Sequence, residues 1–157
     1  MTKYLTALFY VIIICISLNN NSYSFNEEDL QKLLETNICI NCDLSGADLR
    51  KKDLNGANLK GSNMNKVNLW RATLKNANLN GVSMEEANLR RVNLENANLN
   101  NASFRWSIIR NAKMNGATAI NADFRKAAIR KTSLKLVTLC NSQMKYGVDN
   151  SGCETNE

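Results

Sequence analysis

Cysteines at close spacing and a set of regularly recurring cations are the residues of this 157-residue chain whose types and positions could do chemistry. Cys39-Ile-Asn-Cys42 is a CxxC, a spacing that serves redox exchange, half of a metal site or a structural bridge. No thioredoxin-like βαβ pattern surrounds it, and a zinc site would have to recruit Cys140 and Cys153, because the chain contains no His to complete a ligand set. The missing His also removes the usual general base near neutral pH, and with it Ser-His-Asp and Cys-His catalysis. Glu85 and Glu86 are adjacent carboxylates on outward positions, which reads as a solvated charge pair. Glycines recur singly, so nothing resembles a phosphate-cradling loop. Composition and spacing therefore point away from an enzyme and call for no cofactor and no metal.

From Cys42 the chain falls into fives: CDLSG, ADLRK, KDLNG, ANLKG, SNMNK, VNLWR, ATLKN, ANLNG, VSMEE, ANLRR, VNLEN, ANLNN, then more loosely to SQMKY. These are 21 consecutive units over residues 42–146, and the third position is Leu, Met, Phe or Ile in all but one, Ala119. An amphipathic helix would spin those positions around every side of the rod. A solenoid that turns a corner every five residues keeps them all inside. A lag of 20 is also visible: Arg90, Arg110 and Arg130 repeat at that interval, as do Gly61, Gly81, Asn101, Asn121 and Asn141. Gly and Asn tolerate positive φ, so the latter column predicts a row of like corners.

These units resemble the pentapeptide-repeat family, whose repeat is A(D/N)LXX, over about two thirds of the chain. The resemblance implies an all-β solenoid, a right-handed quadrilateral β-helix with four units per 20-residue coil and the third residue inside. At four units to a coil, the 21 units make just over five coils, a rod roughly 25 Å long at about 4.8 Å between strands. The stretch CINCDLSGADL resembles the lead-in to the first coil of an exported subset of the family, and CNSQMKYGVDNSGC resembles its C-terminal closure. The resemblance carries no activity with it.

Both ends of such a stack need covers. Asn26 is placed to cap a helix over 26–36 whose first turn is acidic and whose Leu30, Leu33 and Leu34 share one face. Residues 25–41 are therefore expected to form an N-terminal cap, 42–146 the β-helix and 147–157 the closure. Residues 1–24 read as an export signal: Lys3, an apolar run from Leu5 to Leu18, then Ser22 and Ser24 before Phe25. The run is short of the roughly 20 residues a membrane-spanning helix needs. Export places the protein in the periplasm or outside the cell, where Cys140 and Cys153, which bracket the closing segment, are expected to be bonded. For Cys39 and Cys42 the bridge, redox and metal readings all stay open.

Charge is concentrated in the middle. The whole chain has 20 basic and 14 acidic residues, while 42–146 holds 18 basic and 7 acidic. On a four-sided rod, one face carries Arg50, Trp70, Arg90, Arg110 and Arg130 in one column and Lys51, Arg71, Arg91, Asn111 and Lys131 in the next. The opposite face, with Lys60, Asn80, Asn100, Ile120 and Cys140 beside the Gly/Asn column, has a single charge. Stacked like charges repel unless an anionic partner screens them, so the basic face is the candidate binding surface, with Trp70 and Trp106 available to stack on a ligand. An anionic envelope glycan, a lipid surface or an acidic protein fits it. Nucleic acid fits the charge but not the export. Some relatives mimic DNA to protect a topoisomerase, and this rod has the opposite sign. The oligomeric state is not encoded in the pattern.

Overall fold

The computed structural model describes residues 25–153. The expected export signal, residues 1–24, and the last residues of the closure, 154–157, lie outside the described residues.

Each five-residue unit makes one straight side and one corner. The N–H of Ala47 donates to Leu44 O at 3.1 Å, closing a turn over Ser45 and Gly46, and the same bond recurs unit after unit, as from Ala72 to Leu69 and Ala97 to Leu94. Such a turn needs positive φ at its second central residue, and every fifth residue from Gly46 to Lys131 has it. All four corners of the coil are therefore left-handed, where the sequence had marked only the Gly/Asn column. Lys66, Arg71, Glu86, Arg91 and Trp106 adopt φ near +60°, at a cost of roughly 1–2 kcal/mol each. The stack offsets it at four of them, whose N–H groups donate to the coil above: Lys66 to Glu85 O at 2.8 Å, Arg71 to Arg90 O at 3.1 Å, Glu86 to Arg105 O at 2.9 Å and Arg91 to Arg110 O at 2.8 Å.

Parallel bridges join residues 20 apart, from Ile38↔Asn58 through to Asp123↔Gln143. The first side is thus built from residues 37–41, one unit before the repeat becomes legible at Cys42; Asn58 N–H donates to Asn37 O and Cys39 N–H to Asn58 O. Third-position side chains from Leu44 to Phe124 are all buried, Ala119 included, with the small first-position residues packed beside them. Second-position Asn and Asp serve twice. The Asn68 Oδ1 accepts from the Trp70 N–H at 3.3 Å, within its own unit, and from Asn88 Nδ2 at 3.0 Å, one coil on, which is the local Asx turn extended into a ladder.

Helix α1 (Glu27–Thr36) covers one end of the core. Asn26 caps it, its side chain accepting from Glu28 and Asp29 N–H, and Leu33 is buried on the core with Leu30 partly so. Leu34, expected on the same face, is instead 42 % exposed. At the other end, strands β3 (Ser142–Met144) and β4 (Gly147–Asp149) form an antiparallel hairpin, whereas β1 (Ile108–Arg110) and β2 (Ala128–Arg130) are parallel sides of consecutive coils. Among the described residues no helix is long and apolar enough to cross a membrane.

Candidate binding ridge

The expected basic columns are brought together, but not on a flat face. Fourth and fifth residues are the two central residues of each turn, so Arg50, Lys51, Trp70, Arg71, Arg90, Arg91, Arg110, Arg130 and Lys131 run along one corner of the rod as a ridge. All are exposed except Trp70, which is half-buried. The flat side next to the ridge is made by the second-position residues Asp48, Asn68, Asn88, Ile108 and Ala128.

The two ends of the ridge differ. Arg50 is spent locally: its guanidinium grips Asp48 with both ends, at 2.6 to 2.9 Å, and this bond holds the Asp48 carboxyl below the usual carboxylate range. Lys51 and Arg71 lie over the Trp70 ring at 5.4 and 4.6 Å. Both charges are thereby softened, and the ring offered for a ligand is already covered by the chain's own cations. The same holds for Trp106, over which Lys126 sits at 4.1 Å. By contrast Arg90, Arg110 and Arg130 make no ion pair among the described residues.

A change of side-chain chemistry on the flat side explains what happens there. Where Asn68 and Asn88 give way to Ile108 and Ala128, the Asx turn disappears and the backbone straightens into β1 and β2, which pair Arg110 with Arg130 in register. Neighbouring parallel strands lie about 4.8 Å apart. Arg90, Arg110 and Arg130 then line one shallow groove with Ile108 and Ala128 as its aliphatic floor. Three guanidiniums at coil spacing, unpaired and beside an apolar strip, can hold a row of carboxylate, sulfate or phosphate groups.

A second edge was not singled out from the sequence, though the lag of 20 marks it: Arg105, Arg125 and Lys145 in one column, Trp106, Lys126 and Tyr146 in the next. Asp123 holds Arg125 at 2.7 Å and Arg105 at 4.0 Å, and the Arg125 bond lowers the Asp123 pKa. This edge is therefore more neutral than the other.

The four cysteines among the described residues are paired as disulfides. Cys39 is bonded to Cys42 and Cys140 to Cys153. The first pair is buried in the core, where the buried Ser62 hydroxyl donates to Cys39 O at 2.6 Å and accepts from Cys42 N–H at 3.1 Å. The Asp29 carboxylate lies within 4.8 Å of both sulfurs, but it accepts from Asp43 N–H at 2.8 Å, and the sulfurs are committed to each other. The second pair fastens the closing segment, where Gly152 sits so close that a Cβ would come 2.6 Å from Leu139 N.

Residues 51–124 match the family model described as a pentapeptide repeat region. No curated protein matches the sequence. Among solved structures, the pentapeptide repeat protein Rfr23 from the cyanobacterium Cyanothece 51142 is similar, with 24% identity, a TM-score of 0.61, and 74% of this chain and 97% of that one covered. The pentapeptide repeat protein alr5209 from Nostoc PCC 7120 gives 22%, 0.56, 76% and 96%. One from the Arabidopsis thaliana thylakoid lumen gives 20%, 0.50, 73% and 82%. At these identities the likeness concerns the fold alone, and it agrees with the 20-residue bridging and five-residue corners: residues 51–124 of the chain are a pentapeptide repeat region.

Proposed function

We propose that this protein is an exported, non-enzymatic scaffold, a right-handed quadrilateral β-helix of about five coils, working in the periplasm or outside the cell. Its basic ridge contacts an anionic partner: an envelope glycan, lipid head groups or an acidic protein. The observation that carries the reading is the set Arg90, Arg110 and Arg130, aligned at coil spacing along one groove and without an ion pair among the described residues. Arg50, Lys51, Trp70 and Arg71 are quieted by local contacts and extend the ridge rather than lead it. Mimicry of DNA requires acidic columns where this rod has basic ones, and export separates the ridge from nucleic acid.

A pull-down from the native compartment at low and at high salt tests this. Exposed charges within a Debye length are screened by salt, so the partner is expected to be lost at high salt. A partner retained undiminished at high salt would place the contact elsewhere and sink the reading.

A further inference from the structure

The two ends of the rod are finished differently. At the first, Leu33 of α1 closes the core. In the last coil, residues 127–146, the third-position Leu139 is buried under the closing segment, but Ile129, Leu134 and Met144 are only partly buried. Around them stand Leu136, Tyr146 and Val148, 65, 90 and 51 % exposed. In the coils below, most third- and fifth-position N–H groups donate to the next coil, as from Leu99 to Thr118 O and Asn121 to Cys140 O, with Met114, Trp106 and Lys126 the exceptions, and among the described residues no backbone carbonyl accepts from Leu134 or Leu136. This end therefore presents apolar side chains and free N–H donors together.

Its charge is one-sided. Three of the four corners of the last coil carry cations, Arg130 with Lys131, then Lys135, then Lys145, and the fourth corner is fastened by Cys140 to Cys153. Between Phe124 and Cys153 the chain has one carboxylate, Asp149. A second copy meeting this end with its own C-terminal end would oppose these cations to their own kind, which disfavours a tail-to-tail pair. The corners of one coil lie in one plane across the rod axis, so the cations surround an apolar centre as a flat ring rather than line a cleft. A flat anionic surface with an apolar interior matches that ring: basic residues meet the head groups, and aromatic and aliphatic tips enter the boundary beneath them.

We infer that the C-terminal end of the rod docks end-on to an anionic phospholipid surface through Leu136, Tyr146 and Val148, with Lys131, Lys135 and Lys145 on the head groups. The site shares Arg130 and Lys131 with the ridge but rests on different observations, and it is tested apart from it. The probe is sucrose-loaded vesicles of phosphatidylglycerol mixed with phosphatidylcholine, against pure phosphatidylcholine, with the protein at the length isolated from its native host. Wild type should sediment with the anionic vesicles only. Lys131→Glu, Lys135→Glu and Lys145→Glu together should weaken partitioning by at least about a hundredfold, since each basic residue near such a surface contributes about fivefold and its reversal adds repulsion. Leu136→Glu with Tyr146→Glu should weaken it by roughly tenfold. Both changes lie on exposed side chains, and an unchanged melting temperature verifies that the fold is intact. Arg71→Glu, Arg90→Glu and Arg91→Glu, which reverse charges away from this end, should cost far less than the end triple. If that ridge triple is as damaging as the end triple, or if Leu136→Glu with Tyr146→Glu binds like wild type, end-on docking is overturned. Equal capture by a soluble acidic protein through the same residues would also overturn it, in favour of a protein partner.

Discussion

The Phe104 ring lies 4.9 Å from the Phe124 ring and 4° from parallel to it. The two residues are 20 apart, so their stacking expresses the coil repeat inside the core: each ring rests on the one a turn below, at nearly the separation of the backbones that carry them. Phe104→Ala should therefore remove contacts with more than one coil, at a cost of roughly 3–5 kcal/mol, a large part of a typical domain's stability. A urea melt that shifts by less than the equivalent of about 1 kcal/mol would show that the stacked pair is not part of the tightly packed core.

The five-residue register has its own test. Leu79 is fully buried and Asn80 sits on the adjoining turn, so Leu79→Lys should unfold the rod while Asn80→Lys is nearly neutral, because an unpaired ammonium in the core costs several kcal/mol. Circular dichroism melts compare the two, and equal melting temperatures refute the register.

Corners give a subtler prediction. Asn76 has φ of 57°, is exposed, and donates its N–H to Glu95 O at 3.0 Å. Asn76→Val forces a β-branched residue into the left-handed region and should cost about 1–2 kcal/mol, whereas Asn76→Gly should be nearly neutral. Indistinguishable melting points for the two would contradict the turn geometry.

How much of this was readable beforehand varies with the kind of interaction. The inside positions were legible because burial repeats strictly, Leu after Leu, and Asn26 announced the helix cap by its type and place. The corners were only partly legible. Gly81 and Asn101 advertise positive φ, but Arg71 and Arg91 adopt it because the N–H bonds of the stack demand it, a tertiary requirement invisible in the residue. Ridge chemistry was blurred in the same way: the lag of 20 aligned the arginines, yet the withdrawal of Arg50 onto Asp48 and the cover over Trp70 depend on side chains meeting across a turn. Asp123 with Arg125 repeats the Asp48–Arg50 spacing, so the pairing can be recognised once the turn is known.

That Asp123 pair makes stability depend on pH. Its carboxyl is lowered chiefly by the Arg125 hydrogen bond, so its contribution is fully present above the unfolded carboxylate value of about 3.9 and is lost as pH falls through the lower folded value. Asp123→Asn keeps the turn acceptor and removes the charge. It should cost on the order of 1 kcal/mol at neutral pH, with the difference from wild type vanishing at strongly acid pH. Urea midpoints measured down the pH scale decide it, and a difference that grows toward acid would reverse the assigned sign.

The Cys140–Cys153 bond closes a loop at sequence separation 13, and opening it should cost on the order of 3 kcal/mol in the chain-entropy view. Cys39–Cys42 spans a separation of 3 and constrains the unfolded chain far less. Replacing both C-terminal cysteines by Ser should lower the melting temperature more than reducing the N-terminal pair would on entropy alone. Non-reducing peptide mapping checks the pairing, and free alkylation of Cys140 and Cys153 without reductant would leave the closure held by packing.

Arg90, Arg110 and Arg130 should act as one binding unit, because the coil repeat sets them in a line and Arg110 pairs with Arg130 in register. Replacing all three by Glu reverses six charges' worth of field along one groove, by arithmetic of three positive groups becoming three negative ones, so binding of an anionic partner should be abolished. The fold should survive, since all three side chains are exposed and make no ion pair among the described residues. Relief of like-charge repulsion along the column even favours a small gain in stability for one or two of the replacements taken singly. The control is a Glu triple on the nearly uncharged side, at Asn80, Asn100 and Asn141, which leaves the ridge untouched while adding the same negative charge to the molecule. Titrating each variant with dextran sulfate at rising salt separates the cases: wild type and control should bind and weaken steadily with salt, and the ridge triple should not bind. Equal binding by the two triples, or no binding by wild type at low salt, would reduce the ridge to a solvated edge.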